Sequence, residues 1–132
     1  MTTQQPEVPQ ALRTWFVIHF IADLTFALPL FIAPTYLLTL AGWTSIDPMS
    51  TRLVCAALFG IGIESLLGRH GDIDEFLGML RLKMIWSATA SLGILWSTLT
   101  QGPMMGWALF AIFVVFNIIW SYWFFRLKRL KS

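Results

Sequence analysis

The chain has 132 residues, of which 57% are hydrophobic and 12% charged, and its formal net charge is +2. A typical soluble domain is about 45–50% apolar and about 25% charged, and a chain of this length cannot hide so much apolar surface in a soluble core. The hydrophobicity also excludes a disordered chain, and a lone cysteine, Cys55, excludes a disulfide scaffold. We therefore expect an integral membrane protein.

Four stretches are apolar and long enough to cross a bilayer, which takes about 20 residues of helix. In chain order they are residues 12–33, 49–68, 82–100 and 103–125. Backbone polar groups in lipid must find their hydrogen bonds within the segment, so these stretches predict helices. The expected fold is all-α, with one transmembrane four-helix bundle domain over residues 1–132.

Local signals predict where these helices begin and end. Asp47-Pro48 combines an N-cap residue with a proline at the first helical position. The segment Asp72–Glu75 has the spacing of a capping box, which predicts a helix start near Ile73, before the membrane. Gly102-Pro103 separates the third span from the fourth. Pro29 lies inside the first span and should kink that helix or end it early.

The basic residues predict the orientation. With four spans, both termini and the loop between spans two and three lie on one side, which carries eight basic residues, whereas the other side carries Arg52. The eight are Arg13, Arg69, Arg81, Lys83, Arg126, Lys128, Arg129 and Lys131. The positive-inside rule then places both termini in the cytoplasm and the protein in the inner (plasma) membrane. The basic tail is too short to indicate nucleic-acid binding, and residues 34–46 are expected to lie in the outer interface.

Ionisable residues within a span are costly and therefore mark candidate functional sites. Here they are His19 and Asp23 in the first span and Glu64 in the second, joined by Asn117 in the fourth and by Lys83 at the inner boundary of the third. His19 and Asp23 are four residues apart and share one helix face. The predicted depths place Asp23 near the midplane and the others in the cytoplasmic half.

The small residues of the second span predict the direction of Glu64. Ala56, Gly60, Glu64 and Gly68 recur at a spacing of four, and small residues at this spacing let helices approach closely. On this interpretation Glu64 points into the bundle. The expected pocket opens towards the inner leaflet and is lined by His19, Asp23, Glu64, Ser87, Ser91 and Asn117, with Lys83 as the countercharge.

Two interpretations of these polar residues stay open. In the structural one, they are hydrogen-bonded links between helices, and Glu64 pairs with Lys83. In the functional one, they line a binding site. A metal site is disfavoured because the spans contain a single histidine, His19, and metal sites need three or four ligands. Cys55 lacks a neighbouring base, so no catalytic residue is assigned, and no cofactor is indicated.

Several features together resemble the small four-helix bacterial membrane proteins related to DoxX. They are Pro29 and Pro34 at the end of the first span, Gly42-Trp43, the segment Gly60–Gly68 (GIGIESLLG) in the second helix, and a basic tail. Some members of that group are linked to quinone-associated oxidoreductase systems. A more distant likeness is to the emopamil-binding-protein-like (EXPERA) family, whose early helices place carboxylates around a pocket for sterol-like amphiphiles. Asp23 and Glu64 would be the corresponding carboxylates.

The leading functional hypothesis is an accessory or binding subunit that holds a small apolar ligand, a lipid or a quinone in its polar pocket. One alternative is a proton-coupled or cation transporter, based on the same carboxylates. Another is a membrane enzyme for a lipid or sterol-like substrate, with a carboxylate or His19 as general acid or base. Aromatic faces that include Phe113, Phe116 and Trp120 would suit either lipid or a partner in a homodimer or a larger membrane complex.

Overall fold

The computed structural model describes residues 6–132, and this part of the chain folds into α-helices joined by short connections. The helices are α1 (Gln10–Ile32), α2 (Pro34–Leu40), α3 (Pro48–Leu67), α4 (Ile73–Thr100) and α5 (Met105–Lys131). The all-helical prediction is confirmed for these residues, while the first five residues of the predicted domain lie outside them. Three helices, α1, α3 and α5, are long and apolar enough to cross a membrane. The chain is therefore a membrane-compatible helical protein.

The two predicted helix starts are confirmed. The Asp47 side chain accepts a hydrogen bond from the Met49 backbone N–H at 3.0 Å, and α3 begins at the next residue after Asp47. Hydrogen bonds from the Ser50 hydroxyl and from the Met49 amide hold the pKa of Asp47 below its ordinary value. At the start of α4, Glu75 N–H donates to Asp72 at 2.9 Å, and Asp72 N–H donates to Glu75 at 3.2 Å. This reciprocal pair is a capping box.

Pro29 does not end α1 at its own position. The helix continues for one more turn to Ile32, and the Ala33 N–H donates to the Pro29 carbonyl at 2.9 Å. The chain then breaks at Ala33, and α2 begins at Pro34, where a proline fits the first helical position. The predicted interfacial segment therefore starts with a short helix that the sequence signals did not reveal.

The long helices pack mainly as two pairs, α1 against α3 and α4 against α5. In the first pair, Gly62 lies against Asp23, so close that an added Cβ would stand 2.9 Å from the Asp23 Cβ. In the second pair, Gly106 lies directly against the Thr98 side chain. A glycine thus permits close approach in each pair.

The two pairs meet in an apolar core at one end of the molecule, which we call the basal end. Here α1 and α4 begin and α3 and α5 end. The Phe16 ring stacks on Phe76 of α4 with centroids 4.5 Å apart and meets the Trp120 ring of α5 at 5.9 Å. The buried core residues are Val8, Leu12, Phe16, Ile73, Phe76, Leu80, Trp120, Trp123 and Leu127. This core ties α1 to both helices of the second pair.

The opposite end of the molecule is much less buried. Beyond Ser91, α4 contains no buried residue, and Leu92 and Leu99 are exposed. Trp96 is 76% exposed. Exposed apolar residues of this size suit a lipid environment rather than water.

Candidate functional site

A buried group of four polar side chains lies next to the apolar core, and we call it the polar cluster: Asp23, His19, Lys83 and Ser65. Lys83 Nζ lies 2.7 Å from His19 Nδ1 and donates to Ser65 Oγ at 2.5 Å. His19 Nε2 lies 3.4 Å from Asp23 Oδ1. The cluster therefore draws its members from three helices, α1, α3 and α4, and joins the two helix pairs.

With Lys83 as an ammonium group, the donors and acceptors of the cluster determine which ring nitrogen of His19 is assigned the proton. A lysine ammonium has only donors, so His19 Nδ1 must accept from Lys83. The ring proton of a neutral His19 is then assigned to Nε2, the ring nitrogen that lies 3.4 Å from Asp23 Oδ1. In this state a positive Lys83 and a negative Asp23 flank a neutral histidine, so the formal charges cancel. A cancelled pair is the arrangement expected for ionisable groups inside a membrane bundle.

Aromatic rings form the walls around the cluster. Lys83 Nζ lies 4.9 Å from the ring centroid of Phe16 and 5.0 Å from that of Trp120, within cation–π range. The His19 ring lies 4.9 Å from the Trp120 ring and 5.0 Å from the Phe116 ring. Lys83 is only 2% exposed. Its charge is therefore stabilised by rings as well as by hydrogen bonds.

Asn117 belongs to a second set of hydrogen bonds that adjoins the cluster. Its Nδ2 donates to Ser87 Oγ at 2.9 Å and to the Met84 carbonyl at 3.0 Å. Ser87 Oγ in turn donates to the Lys83 carbonyl at 2.7 Å, and Ser91 Oγ donates to the Ser87 carbonyl at 2.7 Å. These bonds join α4 to α5. Asn117 thus meets the cluster through the backbone of Lys83, not through its ammonium group.

Asp23 carries an unused acceptor. Its side chain is buried, at 7% exposure, and its Oδ2 atom has no hydrogen-bond partner within residues 6–132. This oxygen faces Gly62, where an added Cβ would lie 3.2 Å from it. A buried carboxylate oxygen without a partner is energetically costly and calls for an explanation.

The predicted inward direction of Glu64 is wrong. Glu64 is exposed, as are Ala56 and Gly60, and the buried residues of α3 are Cys55, Gly62 and Ser65. A repeat of four residues advances about 40° beyond a full turn at each step, so the run drifts around the helix. An added Cβ at Gly60 would meet only open space.

The residues once expected to share a pocket are therefore divided. His19, Asp23 and Lys83 come together, Asn117 lies beside them, and Glu64 stands apart from them. Glu64 instead borders a surface hollow of about 640 Å³ near His70. Lys83 bonds to His19 and Ser65, so the predicted pairing of Glu64 with Lys83 is also wrong.

Two further expectations change. The sequence predicts a pocket that opens towards the inner leaflet. In the structure the apolar core fills the basal side of the cluster, so the cluster has no opening on that side. Trp120 was expected on an outward aromatic face, but it is 1% exposed and packs inside. The sequence analysis did not identify Ser65. It lies three residues after Gly62, the glycine that contacts α1, and this spacing places both residues on the same face of α3. Phe16 was missed as a wall because nothing in the sequence distinguishes it from other apolar residues of α1.

The chain matches no family model, no curated protein and no solved structure. Among residues 6–132, no group of three His, Cys, Asp or Glu side chains is placed to hold a metal ion. What the polar cluster can do chemically is accept a hydrogen bond at Asp23 and pass protons between neighbouring groups.

Proposed function

We propose that this protein crosses the inner membrane four times, with both termini in the cytoplasm. The 28 residues of α4 would extend about 42 Å, more than the hydrocarbon thickness. Its buried stripe, which includes Leu80, Lys83 and Ser87, contacts the other long helices, so α4 belongs inside the bundle. Eight of the nine basic residues lie at or near the basal end, which supports a cytoplasmic location for that end.

Within this topology, we propose that the protein is a non-enzymatic accessory or binding subunit that holds the polar head of a small amphiphile at the polar cluster. The observation that carries this proposal is the burial of Asp23, His19 and Lys83 together between aromatic rings. Binding sites for small molecules combine mostly apolar walls with a few convergent polar groups. Some members of the DoxX-like group that the sequence resembles are linked to quinone-associated oxidoreductase systems, and a quinone is an amphiphile of this kind.

Native mass spectrometry of the purified full chain tests this proposal. We expect wild-type protein to retain a non-covalent amphiphile from its membrane and Asp23→Asn to retain on the order of tenfold less, because the acceptor loses its charge and the hydrogen bond to it is weaker. Glu64→Gln is the matched control, since it neutralises an exposed carboxylate of α3, and it should retain as much as wild type. Equal retention by Asp23→Asn, or no retained amphiphile in wild type, would contradict the proposal.

A second candidate function is proton-coupled transport, which one specific observation favours. Ser65, Lys83, His19 and Asp23 form an unbroken series of close polar contacts along which protons could be exchanged. Chains of this type mark pumps and transporters. In proteoliposomes with an imposed potential, this candidate predicts proton flux that Lys83→Met abolishes and Glu64→Gln preserves. Flux no greater than that of empty vesicles would remove it.

A further inference from the structure

Asp23 Oδ2 differs from the other polar atoms of the cluster. Asp23 Oδ1 faces His19 Nε2, and Lys83 Nζ has both His19 and Ser65 as neighbours. In the described part of the chain, Oδ2 alone is a fully buried side-chain polar atom that lacks a hydrogen-bond partner. A buried carboxylate without a donor loses its hydration and receives nothing in return. Among the described residues, Oδ2 is therefore the fully buried side-chain acceptor that still lacks a donor.

The charges of the cluster restrict what that donor can be. Lys83 and Asp23 together have no net charge whether both are ionised or both are neutral, so a bound cation would leave a net positive charge in a low-dielectric interior, at a high cost. An anion or an ether oxygen would face the carboxylate and be repelled. A neutral O–H group satisfies Oδ2 without adding charge, as a charge-assisted hydrogen bond.

The packing also restricts where the rest of the ligand lies. On the basal side the cluster is closed by core residues that include Phe16 and Leu80, both fully buried. Towards the opposite end the helices are far less buried, and large side chains such as Phe26 and Leu92 are exposed. This exposed, lipid-like side is where an apolar ligand body would have to extend.

We propose that the site binds a neutral, otherwise apolar alcohol or phenol whose hydroxyl group donates to Asp23 Oδ2 and whose body extends away from the basal end. This inference rests on the amphiphile-binding function proposed above and specifies its ligand class. Gly62 is the positioning residue, because its missing side chain leaves the space in which the carboxylate lies.

Photolabelling of the full chain in phosphatidylcholine nanodiscs tests the ligand class. The probes are hexadecanol bearing a diazirine and its methyl ether, which differ only in the donor proton. Labelling that excess unlabelled hexadecanol displaces is mapped to peptides containing Asp23 or Gly62. We expect the alcohol to label these peptides on the order of tenfold to a hundredfold more than the ether, the factor for a hydrogen bond to a charged group.

The variants separate the possible outcomes. Asp23→Asn should bring the two probes to within about threefold of each other, whereas Glu64→Gln should keep the wild-type preference. Equal, displaceable labelling by both probes in wild type, the result expected if water satisfies Oδ2, would overturn the hydroxyl requirement but leave amphiphile binding intact. A preference that persists in Asp23→Asn would overturn the assignment to Asp23. Absence of displaceable labelling with either probe would overturn both proposals.

Discussion

Lys83 reaches from α4 to side chains of both α1 and α3 while almost fully buried. Removing one partner of a buried charge pair is far more costly than replacing both, because the remaining charge is left uncompensated. Asp23 would be that remaining charge. The lysine is thus bound to the rest of the cluster by electrostatics as well as by hydrogen bonds.

A double-mutant cycle measures this coupling. Lys83→Met should lower the free energy of unfolding by about 3–5 kcal/mol, because it leaves Asp23 as an unpaired buried charge. Adding Asp23→Asn should recover part of the loss and give a coupling energy of about 1–3 kcal/mol. Unfolding of the purified protein in mixed micelles with increasing dodecyl sulfate provides the measurement.

The control for this cycle is Arg81→Met, on the same helix but exposed, which should change stability by less than about 0.5 kcal/mol. Strictly additive effects of Lys83→Met and Asp23→Asn would show that the two charges do not interact.

Three of the five predicted site residues, His19, Asp23 and Lys83, do come together. Rare ionisable residues within apolar stretches are a strong signal, because burial in lipid is so costly for them. Glu64 gave the same signal, but its direction depends on the rotation of α3, which small-residue spacing did not determine. Ser65 gave a weak signal, because a serine inside a helix can satisfy its hydroxyl on its own backbone, as it does here on the Ile61 carbonyl.

At the scale of the element, α3 presents two glycines with opposite surroundings. Gly62 is buried against Asp23, and Gly60 faces open space two residues earlier. Both have the same intrinsic cost within a helix, so their substitution isolates the effect of packing. The pair therefore tests which face of α3 contacts α1.

Gly62→Ala should destabilise the protein by about 1–3 kcal/mol, because the new methyl group overpacks the contact with Asp23. Gly60→Ala should be neutral or stabilise by up to about 1 kcal/mol, because alanine is the better helix former. Thermal unfolding followed by circular dichroism compares the two variants. Equal destabilisation would mean that α3 is rotated relative to the arrangement described here.

The helix ends illustrate what local sequence can and cannot predict. The Asp72–Glu75 capping box and the Asp47 cap place two helix starts correctly, because capping uses only neighbouring backbone groups. The sequence left open whether Pro29 would kink α1 or end it early, and it did not predict α2. A proline near a helix end sacrifices a single hydrogen bond, so the surrounding chain decides whether the helix stops there.

At the scale of the whole molecule, the proposed topology makes a direct prediction. In a Cys55→Ala background, cysteine at Ser45, between α2 and α3, should react with a membrane-impermeant maleimide in intact spheroplasts. Cysteine at Ser132 should react only after the membrane is permeabilised, because the positive-inside rule keeps the basic tail in the cytoplasm. The reverse pattern would invert the topology, and labelling of both positions before permeabilisation would argue for an odd number of spans.

The helical class follows from composition alone, because a chain this apolar has few other ways to satisfy its backbone. The pairing of α1 with α3 and of α4 with α5 does not follow from composition. The pairing depends on where Gly62 and Gly106 allow the helices to approach each other. Gly62 lies against Asp23, which is distant in the chain, and Gly106 lies against Thr98, on the other side of the turn between α4 and α5. The concentration of the core at the basal end likewise emerges only from packing.

The position of Lys83 has a consequence for biogenesis. On the proposed topology, α4 must enter the bilayer with Lys83, a buried lysine whose charge is costly when it lacks a partner. Its partners, His19 and Ser65, lie on α1 and α3, which leave the ribosome first. Because α1 and α3 are synthesised before α4, the partners of Lys83 are already present when α4 inserts. We therefore expect the insertion of α4 to depend on these two helices. In a chain without α1, Lys83 would lack His19, and we expect membrane quality-control proteases to degrade that chain.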